Sequence, residues 1–253
     1  MKALMTTLFS GMMLFSGASH SASAVLVWPI YQIIEADQKG SALWLENRGK
    51  DTVAMQIRIL SWRQANGAER YADQTTIVAS PPFTRIEPGQ KQLVRMMRLA
   101  PAPAGAEQSY RILIDELPVA QTKPDTTSAA ITLQMRYVLP LFSQGSGVWT
   151  QPRAELKRDP KSATQPILSW SMAQRDGKTQ LAIRNTGTVH ARLSSLYWGS
   201  GTTEVQSISK GFMGYVLPGQ TMYWPLPAGA PRGQQLYAQL VDNAPHVAIA
   251  AAR

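Results

Sequence analysis

Apolar and polar positions alternate with a period of two in the stretches of this chain that are easiest to read. Val53, Met55, Ile57 and Ile59 fall on one face of a run whose intervening positions are Ala54, Gln56 and Arg58. Leu43 and Leu45 alternate in the same way with Ala42, Trp44 and Glu46. Successive strand side chains leave opposite faces of a sheet, so this spacing predicts half-buried strands. Between the two runs lies Asn47-Arg48-Gly49-Lys50, a polar turn whose Asn and Gly tolerate positive φ. Short strands separated by Gly, Pro and Asn turns predict an all-β chain of antiparallel sandwiches. No long stretch sustains a helical period, so helices are expected to be few and short.

The chain also repeats itself. Leu43-Trp44-Leu45-Glu46-Asn47-Arg48-Gly49 is echoed by Leu181-Ala182-Ile183-Arg184-Asn185-Thr186-Gly187, and Glu87-Pro88-Gly89-Gln90 by Leu217-Pro218-Gly219-Gln220 in the same order. Two landmarks in register predict two related sandwich domains rather than one large barrel. The boundary is placed in Ser143-Gln144-Gly145-Ser146-Gly147, read as a flexible stretch. Domain one then covers 25–143, a linker 144–147, and domain two 148–253. In domain two, Leu168 to Met172, Leu181 to Asn185, Arg192 to Trp198 and Leu236 to Val241 are strand candidates. Pro218, Pro225, Pro227 and Pro231 interrupt the stretch between the last two.

The first 24 residues stand apart. Lys2 supplies a short positive region, Ala3 to Gly17 is apolar but too short to span a bilayer, and Ala22-Ser23-Ala24 is a small-residue cleavage site. These features predict a signal peptide, an exported chain beginning at Val25, and no membrane insertion. The chain has no cysteine, which excludes thiolate metal sites and cysteine nucleophiles and requires each domain to stand on its own core. The net charge of +9 is scattered along the sequence. That distribution points to an acidic protein partner or a free carboxylate, and not to nucleic acid.

Chemistry is sparse. Beyond the signal segment only His190 and His246 remain, and neither sits in a catalytic or metal motif. His190 reads as an exposed polar strand residue. Asp115 and Glu116 are adjacent, so on a strand they face opposite ways and do not form an acid/base pair. No catalytic residue, metal or cofactor is expected, and the chain is read as a binding protein and not an enzyme.

The most informative segment runs from Ala129 to Phe142. Ile131, Leu133, Met135, Tyr137 and Leu139 form one apolar row, and Thr132, Gln134, Arg136 and Val138 form the other. This is either a core strand with one face buried at home or an edge strand offered to another chain. In the second case main-chain hydrogen bonds give affinity and alternate side chains give specificity.

Ser80-Pro81-Pro82-Phe83-Thr84-Arg85-Ile86-Glu87-Pro88-Gly89-Gln90, followed by Leu93-Val94-Arg95, resembles the signature region of periplasmic chaperones of the chaperone–usher pathway, the PapD-like superfamily. Tyr110-Arg111-Ile112 to Glu116-Leu117-Pro118 is similar to that family's next strand, and Arg136-Tyr137-Val138-Leu139-Pro140-Leu141-Phe142 to the end of its subunit-binding strand. The resemblance implies two immunoglobulin-like domains in a boomerang, located in the Gram-negative periplasm. It implies a strand lent to pilus subunits that lack their own last strand, and delivery of those subunits to an outer-membrane usher. The plugs would be Ile131, Leu133 and Met135, with Tyr137 and Leu139 completing the row. Whether the free chaperone hides its edge by self-association is left open. A structural pilus or adhesin subunit is the alternative, disfavoured because Val25 leads almost directly into Val27-Trp28-Pro29.

One departure stands out. In the best-known branch two basic residues clamp the subunit's terminal carboxylate, and here those positions fall near Tyr31 and at Pro140. The spelling resembles instead the archaic branch linked to spore-coat-U-like pili. Arg111 is then the first candidate for the carboxylate anchor, with Arg136 and Arg95 as weaker ones. Arg85 and Glu87 are assigned to supporting the turn at Pro88-Gly89.

Overall fold

A computed structural model describes residues 25–118, 134–200, 203–226 and 235–252. The signal segment and residues 119–133, which include Ile131 and Leu133, lie outside the described residues. Ten strands build the first unit: β1 Val25–Trp28, β2 Gln32–Ile34, β3 Gly40–Asn47, β4 Val53–Ala65, β5 Ala68–Ala72, β6 Ile77–Ser80, β7 Phe83–Ile86, β8 Lys91–Arg98, β9 Glu107–Leu117 and β10 Arg136–Gln144. One sheet has the order β1-β3-β8-β6. The other has the order β2-β10-β9-β4-β5, with β7 also on β4. The opening segment therefore splits between the sheets, β1 in one and β2 in the other. The predicted alternation is present, with Val53, Met55, Ile57 and Ile59 buried together with Leu43, Leu45, Val94, Met96, Ile112, Ile114 and Leu141.

The second unit contains β11 Leu168–Arg175, β12 Lys178–Asn185, β13 Ala191–Ser200, β14 Thr203–Val216, β15 Thr221–Pro225, β16 Gln235–Gln239 and β17 Val247–Ala251. Leu181, Ile183, Leu193, Leu196, Trp198, Leu236 and Ile249 form its core. No alternation in the sequence marks β14, β15 or β17. β14 carries Gly211 and Gly214, buries only its last two residues, Tyr215 and Val216, and shifts register against β13, so its apolar alternation is broken. Pro225 is tolerated as the last residue of an outer strand, β15. Helix among the described residues is limited to two single 3₁₀ turns.

The internal repeat recurs bond for bond. Asn47 Nδ2 donates to the carbonyls of Asp51 and Ile86, both at 2.8 Å, and its Oδ1 accepts from the Gly49 N–H at 2.9 Å. Asn185 does the same with the carbonyls of Val189 (2.7 Å) and Val216 (3.0 Å) and with the Gly187 N–H (2.9 Å). The Gly89 N–H reaches the Asn47 carbonyl at 2.8 Å, and the Gly219 N–H reaches that of Asn185 at 2.9 Å. Each buried amide thus ties one corner of its sandwich to the Pro-Gly-Gln turn, which explains why both motifs recur together.

The segment read as a flexible linker is held. β10 runs through the buried Gln144, and the Gly145 N–H donates to the Ala106 carbonyl at 2.9 Å. A Cβ on Gly145 would lie 1.8 Å from the Pro103 carbonyl oxygen. Glycine is required there by close backbone approach and not by freedom of movement. Beyond it, Arg153 and Arg158 return to the first unit and ion-pair with the buried Glu35 at 3.1 and 2.6 Å. A third apolar cluster, Trp62, Phe142, Tyr215 and Leu217 with Tyr31 and Ile33, joins the two units.

Candidate functional site

β10 pairs with β9 along its whole length, Arg136↔Asp115 to Gln144↔Glu107. On its other side β2 covers only Leu141, Phe142 and Ser143, in parallel register. From Arg136 to Pro140 no described strand pairs with that side. An exposed edge of this kind presents unpaired main-chain N–H and C=O groups to any extended chain.

The apolar row leaves the core along this same stretch. Leu139 and Leu141 are buried in the first unit's own core, Leu139 at 9% exposure. Tyr137 packs against that core and donates its hydroxyl to the Val25 carbonyl at 2.9 Å. Met135 is 40% exposed. Its carbonyl accepts from the Glu116 N–H at 2.9 Å, and its own N–H donates to the Glu116 carboxylate at 3.2 Å. Of the predicted row, then, Leu139 is committed at home, Tyr137 is half committed, and Met135 has left the core. A one-register pattern in sequence cannot distinguish these cases, because side chains facing the home core and those past its end share the same parity.

The predicted cations separate by location. Arg136 lies on the opposite face of β10, where Arg136 and Arg58 both bind Asp115, the latter at 2.8 Å. Burial alone would raise the Asp115 carboxyl, but the hydrogen bonds from Arg136 and Arg58 outweigh it and hold the group below the ordinary carboxylate range. Arg95 is exposed on β8, in the sheet that does not contain β10, so the fold does not bring it to the edge. Arg85 lies on β7, and the Glu87 carboxylate accepts from the Thr52 hydroxyl.

Arg111 lies directly across the ladder from Pro140. Its guanidinium sits over the Trp62 ring at 3.6 Å and 5.3 Å from the ring of Tyr215 in the second unit, and its Nε is buried without a hydrogen-bond partner. A cation is therefore present beside one of the two positions where the resemblance expects one, supplied by the neighbouring strand. The other position, Tyr31, is committed to a contact between the units. Its hydroxyl meets His190 Nε2 at 2.5 Å, and His190 Nδ1 meets Glu107 Oε1 at 2.7 Å. A Glu107 carboxylate only accepts, so Nδ1 carries the proton, and in the neutral ring Nε2 accepts from the Tyr31 hydroxyl. Burial, with Glu107 nearby, pushes the Tyr31 hydroxyl far above its ordinary range.

His190 is thus buried, at 7% exposure, and stacked on Phe142 with ring centroids 3.4 Å apart. The expectation of an exposed strand residue is corrected. Its partners Tyr31, Glu107 and Phe142 lie far away in sequence, and nothing local marks them. Among the described residues no group of three His, Cys, Asp or Glu side chains is placed to hold a metal ion. No helix among them is long and apolar enough to cross a membrane.

Comparison with known proteins places this arrangement. Residues 30–148 match the pili and flagellar-assembly chaperone family, PapD N-terminal domain. The fold matches, with a TM-score of 0.74, a chain of the CsuC–CsuE chaperone–tip adhesion subunit pre-assembly complex from the archaic chaperone–usher Csu pili of Acinetobacter baumannii. The identity is 32% over 91% of this chain and 100% of that one. The chain belongs to the PapD-like pilus-assembly chaperones. Within that family it is 26% identical over 187 residues to the probable fimbrial chaperone YadV of Escherichia coli (strain K12), covering 70% of this chain and 69% of that protein. The Salmonella enterica SafA pilin–SafB chaperone complex shares the fold, with a TM-score of 0.62 at 16% identity over 91% of this chain and 97% of that one. As a PapD-like chaperone, with two immunoglobulin-like domains, the protein serves pilus assembly.

Proposed function

We propose that this chaperone caps pilus subunits by lending them the open side of β10 and the apolar row upstream of it. The observation that carries this reading is the unpaired stretch Arg136 to Pro140 together with the emergence of the row from the core at Met135. Ile131, Leu133 and Met135 are the plugs, and Tyr137 and Leu139 anchor the strand in its own domain. Burying each plug contributes roughly 1.5–3 kcal/mol, so several plugs and a strand ladder hold a subunit without a nucleotide. Arg111 holds the subunit's terminal carboxylate and Arg136 fixes the strand through Asp115, while Arg95, in the other sheet, takes no part.

In this reading residues 1–24 direct export to the periplasm, the units divide at 144–147, an outer-membrane usher receives the capped subunit, and no catalytic step is involved. The free chaperone shields the same edge by pairing with itself. The complexes of CsuC with CsuE and of SafB with SafA are in keeping with this reading, and the former favours the archaic branch. The test is co-expression with its pilus subunit in a Gram-negative periplasm, which should yield a soluble one-to-one complex. Recovery of this protein as a component of purified pili would favour the fibre-subunit alternative and overturn the proposal.

A further inference from the structure

The sheet that lacks β10 is apolar on both faces. In β1-β3-β8-β6 the inner face packs into the core, and an outer face that meets water is ordinarily polar. Here Trp28, Trp44 and Leu93 form one outward row across three strands. Met97 and Val78 form another on β8 and β6, with Arg95 standing between the two rows. Trp28 and Trp44 stack, with ring centroids 6.3 Å apart and planes at 14°. Met97, Val78 and the outward Leu26 of β1 are exposed. Contiguous apolar surface of this kind marks a site of contact.

Charge on this face narrows the partner. Glu46 is the one acid among the outward positions of the four strands, and Arg48 at 3.3 Å and Lys91 at 3.7 Å both pair with it. Lys91 also lies over the Trp28 ring, 5.6 Å from its centroid. Arg95 is exposed, and no carboxylate among the described residues pairs with it. The face thus combines indoles and exposed aliphatic groups with an excess of cations. A second copy docked through the same face would set those cations against one another. An anionic bilayer matches every part of it. Tryptophan favours the headgroup boundary, Lys and Arg reach lipid phosphates, and flat apolar surface enters the acyl edge.

We infer that the outer face of β1-β3-β8-β6 is a docking surface for an anionic phospholipid bilayer. Trp28 and Trp44 lie at the boundary, and Lys91 and Arg95 meet the phosphates. The surface is in the sheet opposite β10, so a bilayer on it does not compete with a subunit on the open edge. It goes beyond subunit capture, because it keeps the chaperone beside a membrane whether or not a subunit is bound. Each cation strengthens the contact about fivefold, which makes docking reversible.

The test is flotation of the full-length mature chaperone with two kinds of vesicle. One is phosphatidylcholine alone, and the other is phosphatidylcholine with an equal part of phosphatidylglycerol. The anionic vesicles should bind at least about tenfold more tightly. Most of that binding should be lost in about 1 M salt, where screening is nearly complete. Arg95→Glu should weaken it about tenfold or more, because a cation is replaced by an anion. Met97→Asp should weaken it as well, and both variants should keep the wild-type melting temperature and full subunit capture. No binding, equal binding of the two vesicles, or wild-type binding by both variants overturns the proposal. So does equally tight binding of a soluble polyglutamate peptide, which would assign the face to acidic proteins. A dimer without lipid that Arg95→Glu dissolves would give the face to a second copy and overturn it too. Vesicle binding is read without a subunit, so its failure is distinct from failure of the strand-lending reading.

Discussion

In both units the last strand lies parallel to a strand of the opening segment. β10 meets β2 over Leu141 to Ser143, and β17 meets β11 at Ala250 and Ala251. In the second unit β17 is paired with β16 over Val247 to Ile249 and with β11 over its last two residues. In the first unit the opening segment has been divided between sheets, and only the three residues of β2 remain to cover the longer β10. The same topology thus leaves three residues of β17, Val247 to Ile249, without β11 beside them, and five residues of β10, Arg136 to Pro140, without β2 beside them. A strand that outruns its cover, and not a different fold, creates the proposed binding surface.

The sharpest way to break this comparison is one substitution in each terminal segment. Ile249→Glu buries a charge in the second core and should unfold that unit, a loss above about 4 kcal/mol by calorimetry. Leu133→Glu should leave the melting temperature close to wild type and abolish co-purification of the subunit. Normal capture by Leu133→Glu would mean that the apolar row serves only its own domain. Next in size are the matched corners. Asn47→Ala and Asn185→Ala each strand buried backbone groups and should each cost about 3 kcal/mol in urea unfolding. Hydrogen exchange should show the loss confined to the unit that carries the substitution.

Arg111→Ala should lower the yield of captured subunit about tenfold, while Arg95→Ala leaves it unchanged. Equal yields from the two variants would remove Arg111 from the site. The smallest effect belongs to Asp115. Its folded carboxyl titrates below the unfolded value of about 3.9. It therefore adds stability above that pH and loses it as pH falls through the folded value. Asp115→Asn should flatten the decline in urea midpoint below about pH 4, and an unchanged slope would show that the Arg58 and Arg136 contacts contribute nothing to the acid limb.

Much of this was legible in the chain itself. The alternation at Val53 to Ile59 predicted a buried face because strand parity is a local property. The paired Asn and Pro-Gly-Gln motifs marked two related units because each corner needs both halves of one hydrogen-bonded unit. β14 escaped because an outer strand half exposed on both faces has no reason to alternate, and Gly145 misled because flexibility and close approach call for the same residue.

The sequence alone determined an all-β chain, its repeat, and an apolar row ending near Leu139. The tertiary structure decided where that row leaves the core, that β2 stops covering β10 at Leu141, and that Arg111 faces Tyr215 while Tyr31 is taken up by His190. Periodicity reports which face of a strand a residue occupies. Which residue of a distant strand meets it depends on register and on the packing of one unit against the other, and no local pattern encodes either.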